Sequence, residues 1–404
     1  METSILAFAT DLRDEGTDTV LDNLKARAGV DGVTMAVAYH DARDIFPHNP
    51  VRKVRYLEGG AVFFQPDVAR YEGMRLRPRV SELARSGDPL GELCEAAGER
   101  GIRVNAWAVF LHNDRLGFAH PECATQNAFG DRYLTDLCPS NPDVRMYART
   151  LASEITRYRV STILAESLHF HGLGHGYHHE RYFEELGPVG IYLLGLCFCD
   201  HCLEAARRKG VDPEMVHRSV REELERRFAD GVDGEDSDGL TREDLEPFGG
   251  EQMSGYLEAR TQTVTSLVEE VAASGGGVGL AFLDLCGAQK GFETGHPEAA
   301  PDIGWQMGID ASALAGVCDM VAATGYAADP HRLNLDLDAY EALIPDASRL
   351  GLVLRPMPPD CRSAGNLAAK VAIARERGLG RLDFYHYGFC RLQALDWIRE
   401  ALAT

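Results

Sequence analysis

The chain has 404 residues, of which 45% are hydrophobic, and it carries a formal net charge of −21. A chain this acidic lacks a basic track for nucleic acid phosphates and is repelled by anionic membranes, so we expect neither as a partner. No apolar stretch approaches the roughly 20 residues of a membrane-spanning helix. The first residues lack the basic segment of a secretory signal, so we expect a cytoplasmic protein with mostly reduced cysteines.

Eight short apolar runs alternate with longer helical patterns along the chain. The predicted strands are 4–9, 32–39, 102–110, 160–165, 278–283, 320–324, 350–354 and 381–387. Apolar residues at helical spacing predict helices that include 90–100, 142–157, 365–377 and 392–402. Eight strand–helix units with right-handed crossovers close into a (β/α)8 TIM barrel. An open doubly wound sheet is the alternative, which is weakened because no Gly-x-Gly-x-x-Gly sequence follows the first strand.

Two stretches are longer than a minimal barrel needs, namely residues 41–80 after the second strand and residues 167–255 after the fourth. The second stretch contains a cysteine cluster, an acidic segment at 231–239 that we interpret as a solvated loop, and a loop rich in histidines that includes His175, His178 and His179. We therefore predict one α/β barrel domain over residues 1–404. Its insertion at 167–255 carries the cysteine cluster and a helical subdomain.

Polar and aromatic side chains are concentrated at the carboxyl ends of the predicted strands, where barrel enzymes place their catalytic groups. Glu166 ends the fourth strand, and partial desolvation there would raise its pKa and suit a general acid. Asp284, at the end of the fifth strand, is the predicted second carboxylate, with Asp41 as a weaker choice. Aromatic groups beside carboxylates favour a sugar as the substrate, because sugar rings stack on aromatic side chains. The predicted substrate-binding residues are Asp41, His112, Asn113, His169, His171, Tyr326, Arg355, Tyr385, His386 and Tyr387.

Some of these residues have a structural interpretation as well. Glu166 can pair with an arginine, and Asp284 can be held by backbone amides. Arg355 can bind an anionic group bidentately, or it can pair with Asp284 or Asp383. Glu166 together with the loop histidines can also form a catalytic metal site for zinc or iron.

Three thiols lie within six residues at Cys197, Cys199 and Cys202. In a chain without a secretory signal this spacing predicts a structural zinc site rather than disulfides. A closed tetrahedral site needs a fourth ligand. Cys138 precedes the helix that leads to the fourth strand and can reach the cluster, and Cys123 and His201 are the alternatives.

The sequence from Leu137 to Arg149, a following strand that ends at Glu166, and the cluster at 197–202 resemble the central part of the family 42 glycoside hydrolases and related glycosidase-like barrels. The likeness covers roughly residues 135–205 and the barrel pattern. It implies that Glu166 is the acid/base and that the zinc ligands are Cys138, Cys197, Cys199 and Cys202.

The chain departs from that family at two positions. Ala165 stands where the family has an asparagine, and the seventh strand ends at Arg355, where the family has its nucleophilic glutamate. The sequence therefore predicts a glycoside hydrolase, or a close derivative, that acts on a small carbohydrate or glycoside. It would contain structural zinc and no organic cofactor, and a homo-oligomer is compatible with it. A metal-dependent sugar isomerase or lyase and a non-catalytic carbohydrate-binding barrel are the alternatives.

Overall fold

The computed structural model of the chain describes residues 1–174, 181–232, 239–290 and 298–404. Eight parallel strands form the central sheet: β1 (Glu2–Phe8), β2 (Gly32–Tyr39), β3 (Arg103–Val109), β4 (Thr162–Glu166), β5 (Gly279–Asp284), β6 (Met320–Thr324), β7 (Leu350–Leu354) and β8 (Arg381–Phe384). Each strand pairs with its neighbours in chain order, and β1 pairs with both β2 and β8. The sheet is thus closed, and the predicted (β/α)8 barrel is confirmed.

Helices surround this barrel. The α-helices in the described residues are α1 (Ala9–Glu15), α2 (Thr17–Asp22), α3 (Glu82–Ser86), α4 (Pro89–Arg100), α5 (Asp114–Ala119), α6 (Pro142–Ile155), α7 (Gly187–Gly195), α8 (Asp200–Arg207), α9 (Pro213–Asp230), α10 (Glu251–Ala273), α11 (Cys286–Gln289), α12 (Ala311–Val317), α13 (Pro330–Leu343), α14 (Ala364–Glu376) and α15 (Leu392–Ala403). The start of α6 shows how the local sequence begins a helix. Asn141 caps α6 by accepting hydrogen bonds from the N–H groups of Asp143 and Val144, and Pro142 fits the first turn. No single described helix is long and apolar enough to cross a membrane, although α7 and α8, bent by 97°, pass that test as a pair.

The barrel strands are buried on both faces, because helices cover the outside and side chains fill the inside. All eight residues of β2 are buried, for example. The interior ends in a polar floor in which Thr34 Oγ1 lies 2.5 Å from Ser4 Oγ and accepts hydrogen bonds from Asn105 and Arg381. Arg381 also donates to Oδ2 of Asp383 at 2.7 Å, which places a buried ion pair inside the barrel.

The two long stretches after β2 and β4 extend the barrel. After β2 the chain forms an antiparallel hairpin of Ala42–Ile45 with Val54–Leu57. After β4, the residues from α7 to α10 build a second apolar cluster around Leu193, Leu224 and Tyr256. Of the predicted histidine-rich loop, His175, His178 and His179 lie outside the described residues, as does most of the acidic segment.

Candidate active site and cysteine cluster

Glu166 is the last residue of β4 and lies partly buried at the carboxyl end of the barrel. Its carbonyl accepts a hydrogen bond from Phe110 N–H at 3.0 Å, and the carbonyl of Ser167 accepts one from Leu111 N–H at 3.2 Å. Ser167 is buried and has a φ of 59°, a value that non-glycine residues rarely adopt. The chain therefore turns sharply after Glu166, and the backbone that follows β3 holds the turn in place.

The indole of Trp107 orients the Glu166 carboxyl. Trp107 lies on β3, is almost fully buried, and donates from Nε1 to Oε2 of Glu166 at 2.6 Å. Its ring packs edge-on against Tyr39, with centroids 4.7 Å apart, and stacks on Phe8 at 5.9 Å. An aromatic wall thus fixes one oxygen of the carboxyl at the barrel mouth. We did not predict Trp107 or Tyr39 from the sequence.

Three tyrosines line the mouth beside Glu166. Tyr39 and Tyr385 lie close enough to influence each other's pKa, and the ring of Tyr385 lies 6.2 Å from that of Tyr326. Burial, with a contribution from the Glu166 charge, raises the pKa of all three phenols. Each hydroxyl therefore keeps its proton at neutral pH and can donate a hydrogen bond to a polar ligand.

Arg355 follows β7 and forms a bidentate ion pair with Asp360, through Nε at 2.5 Å and Nη2 at 2.7 Å. Its guanidinium lies 4.1 Å above the ring of Tyr326. The predicted pairing of Arg355 with Asp284 or Asp383 is wrong, because Asp360 is its partner and Asp383 pairs with Arg381. The structure nevertheless brings Arg355 to the mouth that contains Glu166.

Asp44 is a second carboxylate near this mouth, and the sequence analysis did not identify it. It lies on the hairpin after β2, opposite Arg55. Its charge, like that of Glu166, acts on both Tyr39 and Tyr385 and raises the pKa of each. Both carboxylates are therefore close enough to this tyrosine pair for their charges to act on it.

Four histidines form a row that starts beside Tyr39. The ring of His40 stacks on Tyr39 at 4.3 Å and on His112 at 4.6 Å. His112 contacts His171 at 5.9 Å, and His171 contacts His169 at 4.7 Å. Nδ1 of His171 lies 3.0 Å from the Asp136 carboxylate, and His169 donates to the Phe170 carbonyl at 2.9 Å. The predicted His112, His169 and His171 thus lie together, and His40 links them to the mouth.

Asp284 does not lie in the barrel interior. In the register of β4 with β5, Ala165 pairs with Phe282, so Glu166 shares its face with Leu283 and Asp284 points to the other face. Its carboxylate accepts the N–H of Cys286 at 2.8 Å, and burial raises its pKa. Burial and then the Asp284 charge also raise the pKa of Tyr340 on α13, which places this carboxylate beside the helical layer. The prediction that Asp284 is the partner carboxylate of Glu166 is therefore corrected, because the side chain faces the helical layer.

Four more predicted residues have other surroundings in the structure. Asn113 caps α5 by accepting the Leu116 N–H, and Asp41 is exposed. His386 is buried among aromatic rings, which lowers its pKa well below the usual range and keeps it neutral. The Tyr387 hydroxyl lies outside the barrel, where it donates to Glu15 and accepts from Asn23. Its assignment to substrate is corrected accordingly.

The four cysteines Cys138, Cys197, Cys199 and Cys202 are buried together, with all Sγ atoms within 4.8 Å of one another. From Cys138 Sγ the other three lie at 3.6 Å (Cys199), 3.5 Å (Cys202) and 3.9 Å (Cys197). A tetrahedral zinc site with Zn–S bonds of about 2.3 Å has sulfurs roughly 3.8 Å apart, so the three distances from Cys138 match those around a bound metal ion. Cys138, rather than Cys123 or His201, completes the group.

Within the described residues, this is the only group of three or more His, Cys, Asp or Glu side chains whose ligand atoms are close enough to hold one metal ion. Among the described residues, Glu166, His169 and His171 do not form such a group, and the other histidines of the predicted alternative, His175, His178 and His179, lie outside the described residues. The cysteines cluster with Phe170, four residues after Glu166, and the Phe170 ring in turn lies under Arg260 at 4.3 Å. A metal bound here would therefore brace the turn after β4 and the segment before α6.

Closed parallel barrels of this kind include sugar-cleaving enzymes among the solved structures. No family model and no curated protein sequence matches the chain. It is similar to a β-galactosidase from the psychrophilic Marinomonas ef1 (TM-score 0.56, 10% identity, covering 100% of this chain and 59% of that one). It is also similar to a β-galactosidase from Halorubrum lacusprofundi (TM-score 0.58, 13% identity, covering 100% of this chain and 58% of that one). A third similar structure is the β-amylase catalytic domain from Paenibacillus polymyxa (TM-score 0.58, 9% identity, covering 99% of this chain and 97% of that one). The chain spans less than two thirds of both β-galactosidases. At these identities, the likeness shows the shared barrel fold.

Proposed function

We propose that the chain is a glycoside hydrolase that acts on a small carbohydrate or glycoside, with Glu166 as its general acid. The observation that carries this proposal is the carboxyl of Glu166 at the end of β4, held by the Trp107 indole and surrounded by tyrosine hydroxyls. Aromatic faces pack on sugar rings, and hydroxyl groups bind sugar hydroxyls. The fold shared with β-galactosidases and a β-amylase supports the same substrate class.

Hydrolysis of a glycosidic bond usually needs a second carboxylate across the bond from the acid. We assign this role to Asp44, because the charges of Asp44 and Glu166 both contribute to the raised pKa values of Tyr39 and Tyr385. Glu166 would give its proton to the leaving oxygen, and Asp44 would stabilise the cationic sugar or activate water. Arg355, stacked on Tyr326, would orient the substrate at the rim.

We further propose that the four cysteines hold zinc in a structural role. Four thiolates and no open position are typical of closed zinc sites, which supply folding energy rather than chemistry. The metal would fix the turn after Glu166 and take no part in bond cleavage.

A panel of aryl glycosides tests the proposed reaction. We expect turnover by the wild type, a loss of about 10²–10⁴-fold in Glu166→Gln on glycosides with poor leaving groups, and a comparable loss in Asp44→Asn. The exposed Glu95 on α4 supplies the matched control, and Glu95→Gln should keep wild-type rates. Sugar binding with no turnover of any glycoside would instead support a carbohydrate-binding barrel and reject the hydrolase.

A further inference from the structure

A separate pocket of about 370 Å³ lies between the loops that follow β7 and β8. Pro356 and Pro358 line it from the first loop, and Phe389 lines it from the second. Trp397 on α15 forms part of the wall and is partly buried. The pocket thus has an apolar, aromatic lining suited to the face of a ring.

Two arginines give this pocket a positive charge. Arg362 and Arg391 line it, both are exposed, and neither side chain forms an ion pair or hydrogen bond within the described residues. Nearby Arg355, in contrast, is bound bidentately by Asp360. In a chain with a net charge of −21, two arginines on one pocket favour an oxyanion, which guanidinium groups bind bidentately.

The position of the pocket in the barrel points to the same kind of ligand. Loops after the seventh and eighth strands frequently bind phosphate in (β/α)8 barrels. Arg391 is also the residue before the first turn of α15, whose N-terminus has no side-chain cap and whose Gln393 lines the pocket. Because no side chain caps this 12-residue helix, its first N–H groups can add donors to the two guanidinium groups.

Phe389 connects this pocket to the mouth that contains Glu166. Its ring lies 5.6 Å from that of Tyr385 and 4.6 Å from that of His386. We propose that the pocket binds a sugar unit that carries an oxyanion, with Arg362 and Arg391 on the anion and Trp397 on the ring. This inference rests on the proposed hydrolase and narrows its substrate class to anionic glycosides.

Calorimetric titration of Glu166→Gln tests the pocket without turnover, using glucose 6-phosphate, glucuronate, glucose and inorganic phosphate. We expect at least one of the two sugar anions to bind at least about tenfold more tightly than glucose or free phosphate. Adding Arg362→Gln and Arg391→Gln should weaken that binding by about tenfold or more for each charge removed. Arg218, an exposed arginine on α9, provides the control, and Arg218→Gln should leave binding unchanged.

Three results would overturn the proposal. These are no binding of either sugar anion below about 10 mM, equal binding of free phosphate, or binding that is insensitive to the arginine changes. The inactive Glu166→Gln background separates this inference from the proposed reaction. Failure of the wild type to hydrolyse any glycoside leaves the titration unaffected, and failure of the titration leaves the aryl glycoside result unaffected.

Discussion

Replacing Cys138 with serine removes one of the four thiols that surround a single point in the structure. The other three sulfurs lie 3.5–3.9 Å from Cys138 Sγ, close to the roughly 3.8 Å of a tetrahedral zinc site. A serine hydroxyl is a much weaker zinc ligand than a thiolate at neutral pH. We therefore expect Cys138→Ser to lose the ion and, with it, the link between the segment before α6 and the loop after β4.

The size of this effect follows from mass action. At free zinc about 100-fold above its dissociation constant, a bound ion adds about 2.7 kcal/mol to the free energy of unfolding. For 404 residues, the unfolding entropy of about 2.1 cal/mol/K per residue amounts to roughly 0.85 kcal/mol/K. The melting temperature should therefore fall by about 3 °C at that zinc concentration, and by more where zinc binds more tightly.

Metal content by mass spectrometry and melting temperature by calorimetry provide the assay. Cys123→Ser is the matched control, because Cys123 is equally buried and its carbonyl accepts the Cys138 N–H, yet its sulfur lies outside the cluster. We expect one zinc per chain in the wild type and in the control, and none in Cys138→Ser. Equal zinc content in both variants, or a wild type without metal, would refute the reasoning.

Three other predictions concern the barrel. Trp107→Phe removes the donor to Glu166, and a hydrogen bond to a charged group worth about 1.5–3 kcal/mol should lower kcat by roughly 10- to 100-fold with a smaller change in KM. Asp360→Asn breaks the bidentate pair of Arg355 and should lower both kcat/KM and the melting temperature. Burial raises the pKa of Asp11 from 3.8 to about 7, so the folded protein keeps a proton that the unfolded chain releases. Wild-type stability should then fall by about 1.4 kcal/mol per pH unit between about pH 4 and 7 and level off above, and Asp11→Asn should lack this slope in urea denaturation.

Each of these predictions has a contrary outcome. An unchanged kcat in Trp107→Phe would mean that the indole does not position the carboxyl. Wild-type activity and melting temperature in Asp360→Asn would remove Arg355 from the proposed substrate rim. Parallel stability curves for the wild type and Asp11→Asn across this pH range would show that Asp11 titrates normally.

The sequence was sufficient to predict the barrel and the group of four cysteines. Strands β2, β6 and β7 match their predicted ranges, because parallel barrel strands are continuous apolar runs between polar segments. The predicted range of β8 extended to Tyr387, because Tyr385, His386 and Tyr387 continue its aromatic pattern. In the structure the strand ends at Phe384. Cys138 was identified because it and the cluster flank the same strand.

The face of each strand was harder to predict. A strand buried on both sides shows no alternation of polar and apolar residues, so the sequence did not reveal that Asp284 faces the helices. A signal was present in the buried polar residues of the strands. Asn105 marks the interior face of β3, and two residues further along that face lies Trp107. Asp44 lies on a hairpin whose position relative to the mouth depends on tertiary packing.

The leaving-group dependence of Glu166→Gln tests the central claim most directly. Rates would be measured for wild type and variant on aryl glycosides whose phenols span a wide range of pKa. If Glu166 donates the proton, the variant should approach wild-type rates for a dinitrophenyl glycoside and fall about 10²–10⁴-fold below them for the unsubstituted phenyl glycoside. An equal loss for every leaving group, or no loss for any, would contradict the assignment of Glu166 as the general acid.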